Sequence, residues 1–182
     1  MRRGSAAIGT LVFFLVAPGV VVGLVPWWLT GWNLRFDWPL IVRIAGLVLL
    51  VAGVAVLVQS FARFVVEGFG TPSPIAPTEL LVVGGWYRYV RNPMYVAVVT
   101  AIAGQGLWFA QPVLLGYAAL VWVVVAAFVR WYEEPHLLRQ FGEAYRVYLA
   151  AVPGWIPRLR PWESGRGEGR SGGGGGGSVA RG

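Results

Sequence analysis

The sequence contains no cysteine and no lysine, and it has a single histidine, His136. Without cysteine the chain can form neither disulfides nor thiolate sites. One histidine is too few for zinc fingers, or for haem and di-iron sites with several histidine ligands. Charged residues make up only 13% of the chain and apolar residues 57%. Because a water-soluble surface cannot be built from so few polar residues, the composition indicates an integral membrane protein.

Four apolar segments follow one another along the chain, at residues 6–29, 40–66, 95–109 and 113–129. The first two are long enough to cross a membrane, which takes roughly 20 apolar residues. The last two are short and are separated only by Ala110, Gln111 and Pro112, which predicts a tight helical hairpin. The expected fold class is all-α: an integral membrane bundle of about four transmembrane helices, with a C-terminal amphipathic helix at the interface.

The N-terminal segment has two interpretations, because Arg2 and Arg3 before an apolar run also resemble a secretory signal peptide. The run is longer than a typical signal core of about 7–15 residues and no cleavage pattern closes it, which favours a retained helix. All fifteen basic residues are arginines, and in a four-pass arrangement only Arg35 and Arg43 fall opposite to the rest. Cytoplasmic flanks collect positive charge. We therefore expect a multi-pass protein, of the bacterial inner membrane, with both termini cytoplasmic.

After the fourth segment the pattern becomes amphipathic. Over residues 135–152 apolar side chains recur at helical spacing, which predicts an interfacial helix. Prolines then end regular structure, and the glycine-rich end of the chain has nothing with which to build a core. The predicted organisation is two N-terminal transmembrane helices (1–66), a core (67–161) and a disordered tail (162–182). The arginines form no stripe, so nucleic acid is not an expected partner.

The third apolar segment is preceded by an unusually polar stretch, GWYRYVRNPMY, at Gly85 to Tyr95. Its aromatic rings and arginines are also typical of interface anchors, and that alternative stays open for Trp86 and Arg88. Ionisable groups at membrane depth tend, however, to face one another or a wet cavity. The proposed topology brings a set of such groups to the cytoplasmic side, and predicts one polar pocket there: Arg63, Arg91, Asn92, Tyr95, Arg130, Glu133 and Glu134.

The stretch GTPSPIAPTELLVVGGWYRYVRNPMY, a short apolar hairpin, and then YEEPHLLRQFGEAYRVYLAAVPGWIPRL together resemble the isoprenylcysteine carboxyl methyltransferase and phospholipid methyltransferase superfamily. The resemblance covers about residues 70–159. It implies an integral membrane enzyme that uses S-adenosyl-L-methionine, with the cofactor on the cytoplasmic side. It also implies a lipid or prenylated acceptor, besides the bilayer itself, and no metal.

Carried over by motif, the resemblance assigns the cofactor to the loop before the third segment and to the glutamates after the fourth. It implies that the cofactor-binding residues are Glu79, Leu80, Leu81, Val82, Tyr87, Asn92, Pro93, Met94, Tyr95 and Glu133. Arg91 fits a contact either with the cofactor carboxylate or with a lipid phosphate. Arg130 and Glu134 are the expected catalytic residues, with Arg130 orienting an anionic acceptor. Many relatives have histidine where this chain has Asn92, which cannot titrate.

Methyl transfer of this kind needs no side-chain nucleophile, which suits a chain without cysteine. Two alternatives remain: a nicotinamide-dependent membrane reductase of related fold, which would bind NADPH, and a non-catalytic membrane scaffold. A metal site at Glu133, Glu134 and His136 is disfavoured because there is no second histidine. Prenylated protein ends, phosphatidylethanolamine and small isoprenoid or lipid acids all remain possible acceptors.

Overall fold

The computed structural model of the protein describes residues 16–67, 81 and 83–163, with the side chains of residues 64–67 excepted. Within these residues the chain is helical and contains no strand, as the all-α prediction requires. Helix α1 is Val16–Thr30, α2 is Leu40–Glu67, α3 is Pro93–Trp108 and α4 is Pro112–Phe128. A π-helical turn, Val129–Glu133, continues α4 into α5, Glu134–Ala151.

Two helical stretches, Leu40–Arg63 and Pro112–Ala151, are long and apolar enough to cross a membrane. Helices α1 and α3 are apolar but shorter. Many large apolar side chains of α2 and α4 point outward, among them Ile41, Val48 and Val124. A surface of this kind is unfavourable in water but not in lipid. The structure supports a membrane helical bundle, and the number of four crossings stays a prediction.

Small residues set the close contact between α2 and α3. A Cβ added at Gly46 would lie 2.5 Å from the backbone nitrogen of Trp108, and one at Gly53 would lie 2.8 Å from that of Ala101. Any larger residue at these positions would therefore push the two backbones apart. Small residues at such contacts are typical of helix packing in membranes, where dispersion rather than the hydrophobic effect holds helices together.

The predicted hairpin between the third and fourth segments is confirmed. Helix α3 ends at Trp108 and α4 begins at Pro112, whose fixed φ and missing N–H suit the first position of a helix. The side chain of Gln111 donates to the carbonyl of Asn33 at 2.7 Å, and the backbone N–H of Arg35 donates to the carbonyl of Phe109 at 3.2 Å. These bonds place the α1–α2 loop beside the hairpin tip.

Pro26 of α1 explains why a polar side chain, Gln105, lies in the middle of α3. In the π-helical part of α1 the N–H of Val25 bonds to the carbonyl of Val20. The next residue, Pro26, has no N–H to donate to the carbonyl that follows. Side chains of neighbouring helices supply donors in place of the missing N–H: Tyr117 donates to the carbonyl of Val21 at 3.1 Å, and Gln105 donates to that of Val22 at 2.8 Å. Within a membrane such replacement is necessary, because water is absent.

Helix α5 is amphipathic as predicted but contains a break that the sequence analysis did not foresee. Gly142 has φ 54° and ψ −123°, a conformation that side chains disfavour, and the helix direction changes there. Beyond the break Tyr145, Tyr148 and Val152 form a small core. Leu81 and Trp162 pack on this core, so it joins the end of α5 to the stretch that leads into α3.

Candidate active site

A cavity of about 410 Å³ has mostly apolar walls but is lined at one end by Arg91, Tyr95 and Glu133, and is here called the polar cavity after that end. Its walls come from α1, α2, α3 and α4, and from the residues just before α3. Its volume is in the range typical of small-molecule and cofactor sites. Of the residues predicted to bind a cofactor, seven line it: Tyr87, Arg91, Asn92, Pro93, Met94, Tyr95 and Glu133.

The best-defined polar contact of the cavity joins two of these residues. The hydroxyl of Tyr95, in the first turn of α3, donates to Oε2 of Glu133 at 3.0 Å. Glu133 is half-buried at the end of the π-helical turn that follows α4. No donor among the described residues contacts its second oxygen, Oε1. The carboxylate is thus held by one oxygen, and a ligand with hydroxyl groups can bond to the other.

Arg91 and Glu134 form an ion pair beside the cavity, with Nη1 and Oε1 2.7 Å apart. Both side chains are mostly buried, at 15% and 14% exposed. The Nε atom of Arg91 is buried without a hydrogen-bond partner in the described part of the chain. Arg91 also lines the cavity, so its side chain joins the cavity wall to the buried carboxylate of Glu134.

Arg130 lies on the solvent side of the ion pair formed by Arg91 and Glu134. Its Nη1 lies 3.5 Å from Oε2 of Glu134, and its side chain is 77% exposed. Neither Arg130 nor Glu134 lines the polar cavity. Both lie at its edge, Glu134 behind Arg91 and Arg130 on the surface. Their assignment as catalytic residues stays a prediction.

The remaining predicted residues lie elsewhere. Leu81 packs on the tyrosine core of α5. Arg63 lies against Gly85 at the start of the GWYRYVRNPMY stretch, where a Cβ would come within 3.3 Å of it. Glu79, Leu80 and Val82 lie outside the described residues. The described residues include no group of three or more histidines or acids that could hold a metal.

Residues 152–163, here called the strap, hold the site in place through contacts that the sequence did not predict, although residues 152–161 were expected to belong to the core. The strap runs beside the GWYRYVRNPMY stretch, and the two exchange backbone bonds: Arg91 N–H to Pro153, Arg158 N–H to Tyr89 and Trp162 N–H to Arg88, each 2.9 Å. Trp162 belongs to the stretch predicted to be a disordered tail. Its neighbouring prolines and tryptophans were the available signal, since large aromatic side chains are unusual in a solvated tail.

Side chains add to this attachment. Asn92 donates through Nδ2 to the carbonyl of Gly154 at 3.1 Å. Tyr148 donates to the carbonyl of Tyr87 at 2.7 Å, and both residues are buried. The strap and α5 thus fix the backbone on both sides of the residues that line the cavity. Buried, fully paired groups of this kind rigidify a site.

Comparison with known proteins relates this arrangement to a family. The family model for phospholipid methyltransferase matches residues 41–144, more than half of the chain. The chain belongs to the phospholipid methyltransferase family. A search of curated proteins gives no significant match.

This family is part of the isoprenylcysteine carboxyl methyltransferase superfamily, as the resemblance indicated. Membership indicates methyltransferase activity at a membrane. The match covers α3, α4, nearly all of α2, and the ion pair of Arg91 with Glu134. It also covers the residues of the polar cavity, except for Ala17, Pro18 and Val21 of α1. It ends inside α5, so the strap lies beyond it.

Proposed function

We propose that the protein is an S-adenosylmethionine-dependent methyltransferase, embedded in the membrane, that methylates a carboxylate or amine on a lipid or isoprenoid-linked acceptor. The observation that supports it best is the polar cavity, where Tyr95 orients the carboxylate of Glu133 among five other residues expected at the cofactor. We also propose that this end of the bundle faces the cytoplasm, because most arginines gather there.

The residues of the cavity fit the cofactor chemically. Glu133 can accept hydrogen bonds from sugar hydroxyls through its free oxygen, and Tyr87 and Tyr95 offer aromatic faces to adenine or to a sulfonium. Arg91 lines the cavity, and its guanidinium can pair with a carboxylate or phosphate. Asn92 holds the strap through its side-chain amide, so it positions backbone and does not carry a proton.

When bound, S-adenosylmethionine supplies an electrophilic methyl group that passes to a lone pair of the acceptor as the sulfonium becomes a neutral thioether. The protein supplies position, exclusion of water and charge complementarity. The wall of the polar cavity away from Glu133 is apolar, with Leu57, Val98 and Val121 among its residues. It can therefore receive an acceptor from the lipid side while it keeps bulk water away.

A methyl-transfer assay tests this proposal. Membranes that contain the protein are incubated with S-adenosylmethionine carrying a tritiated methyl group, and lipids and proteins are then extracted separately. The proposal predicts protein-dependent label in the lipid fraction or at prenylated protein ends. Absence of label in both fractions, together with binding of NADPH, would instead support a reductase.

A further inference from the structure

The strap carries two large apolar side chains that the rest of the described chain leaves mostly uncovered. Ile156 is 79% exposed and Leu159 is 99% exposed. Single exposed apolar residues are common on protein surfaces and by themselves indicate no partner. What these two side chains contact therefore depends on where the strap lies in the fold.

The backbone on either side keeps both side chains on the outer face of the strap. Backbone bonds to the GWYRYVRNPMY stretch hold the strap at residues 153, 158 and 162, each at 2.9 Å. Ile156 lies between the first two of these attachments and Leu159 between the last two. Pro157, whose φ is fixed by its ring, directly follows Ile156. These attachments limit how far either side chain can turn inward.

An aromatic contact places the strap beside a membrane-crossing helix. The ring of Trp155 meets that of Trp122 edge-on, with the ring centroids 6.2 Å apart. Trp122 is 46% exposed and belongs to the stretch Pro112–Ala151, which is long and apolar enough to cross a membrane. It lies six residues before Phe128, the last residue of α4, which is roughly 9 Å along a helix. Trp155 therefore lies alongside α4 and not beyond its end.

The charges of the strap suit the headgroup region of a bilayer. Arg160 directly follows Leu159 and is exposed. The one acid of the strap, Glu163, lies 3.6 Å from Arg88, so the strap itself has a net positive charge. Tryptophan and arginine are both typical of the boundary between hydrocarbon and headgroups, where their side chains meet both phases. A guanidinium group at this level can pair with a lipid phosphate.

The prolines of the strap also suit an irregular segment at a membrane surface. Backbone N–H groups without an acceptor are costly where water is scarce. Three of the twelve strap residues are prolines, which have no N–H. Three more donate to backbone carbonyls: Val152, Arg158 and Trp162. Half of the strap therefore adds no unbonded N–H to the interface.

We propose that the strap is a membrane-docking segment, in which Ile156 and Leu159 insert into the leaflet beside α4 and Arg160 pairs with a lipid phosphate. The partner is the surface of the bilayer and not a bound substrate. On its other face the strap bonds to the backbone just before α3, so one layer of chain joins the membrane surface to the candidate site. The inference does not depend on the proposed methyl transfer.

Site-directed fluorescence tests the docking, because the chain has no natural cysteine. Leu159→Cys is labelled with bimane, and the full chain is placed in phosphatidylcholine nanodiscs. Quenching is measured with a phosphatidylcholine that carries a nitroxide on its acyl chain, and separately with iodide in the buffer. Glu143→Cys is the control, because Glu143 is 77% exposed and lies on the polar face of α5. We expect quenching by the lipid at residue 159, and iodide quenching at least about tenfold weaker than at residue 143, since an anion loses its hydration in apolar surroundings.

Ile156→Cys is expected to give the same pattern, which supplies a second, independent position on the strap. Iodide quenching at residues 156 and 159 equal to that at residue 143 would overturn the proposal. Protection from both quenchers would also overturn it, because a second copy of the chain or another protein would then cover the strap. Binding of S-adenosylhomocysteine is measured on the same samples. A wild-type protein that fails to bind it while the strap is quenched by lipid would contradict the proposed function alone.

Discussion

Tyr95→Phe removes one hydroxyl from the centre of the proposed site and changes little else. The lost bond, 3.0 Å to Glu133, joins the start of α3 to the turn after α4, and both residues are half-buried. A hydrogen bond to a charged group contributes about 1.5–3 kcal/mol. We expect the free energy of unfolding to fall by about this amount, because the carboxylate is left without its donor.

Binding should fall as well, because Glu133 would no longer be held toward the ligand. A loss of about 1.4 kcal/mol corresponds to a tenfold weaker affinity. The assay is calorimetric titration with S-adenosylhomocysteine. It is carried out on the purified wild type, on the Tyr95→Phe and Glu133→Gln variants, and on the variant that carries both changes. If the two residues act together, the double variant is less impaired than the sum of the single ones by at least about 0.5 kcal/mol.

Tyr132→Phe is the control for the loss of a hydroxyl, since Tyr132 is 48% exposed, stacks on Phe128 and lies outside the cavity. Equal effects of Tyr95→Phe and Tyr132→Phe on S-adenosylhomocysteine affinity would refute the reasoning. Additive effects of Tyr95→Phe and Glu133→Gln would show that the 3.0 Å contact does not orient the carboxylate.

Two further predictions concern the arginines. Arg91→Lys keeps the charge but loses the planar fork, so the affinity for S-adenosylhomocysteine should fall roughly tenfold. Arg88→Lys should weaken the binding of S-adenosylhomocysteine by less than about 1 kcal/mol, because the 3.6 Å pair of Arg88 with Glu163 is partly exposed. Equal affinities of the Arg91→Lys and Arg88→Lys variants for S-adenosylhomocysteine would indicate that Arg91 is only an interface anchor. Reporter fusions at residues 36 and 111 should both be active outside the cytoplasm and a C-terminal fusion inside it, and a C-terminal fusion active only outside would contradict the proposed topology.

Local sequence patterns were sufficient to predict the helices and the cavity members that lie next to a helix end. Arg91, Asn92 and Tyr95 precede or open α3, and Glu133 closes the turn after α4, so their common location followed from the topology alone. The hairpin at residues 109–111 was predictable for the same reason, because proline and glutamine interrupt an apolar run.

Contacts between distant parts of the chain were not predictable. Gln105 bonds to a carbonyl 83 residues away, and the need for it arises from Pro26 on another helix. The chain changes direction at Gly142 before it reaches the strap, although the helical spacing of apolar residues continues there without interruption. The backbone bonds between the strap and the stretch before α3 have no local signal either. Periodicity reports which face of a helix is apolar. It does not report which neighbour that face meets.

The central claim is that Glu133 holds a cofactor in the polar cavity, and the most direct test is the affinity of purified Glu133→Gln for S-adenosylhomocysteine. Glutamine keeps the shape and can still accept the bond from Tyr95, but it lacks the charged acceptor. Glu143→Gln is the control, because Glu143 is 77% exposed and pairs only loosely with Arg146, at 3.6 Å. We predict binding by the wild type and by Glu143→Gln, and an affinity at least about tenfold lower for Glu133→Gln. Equal affinity of all three proteins would contradict the account.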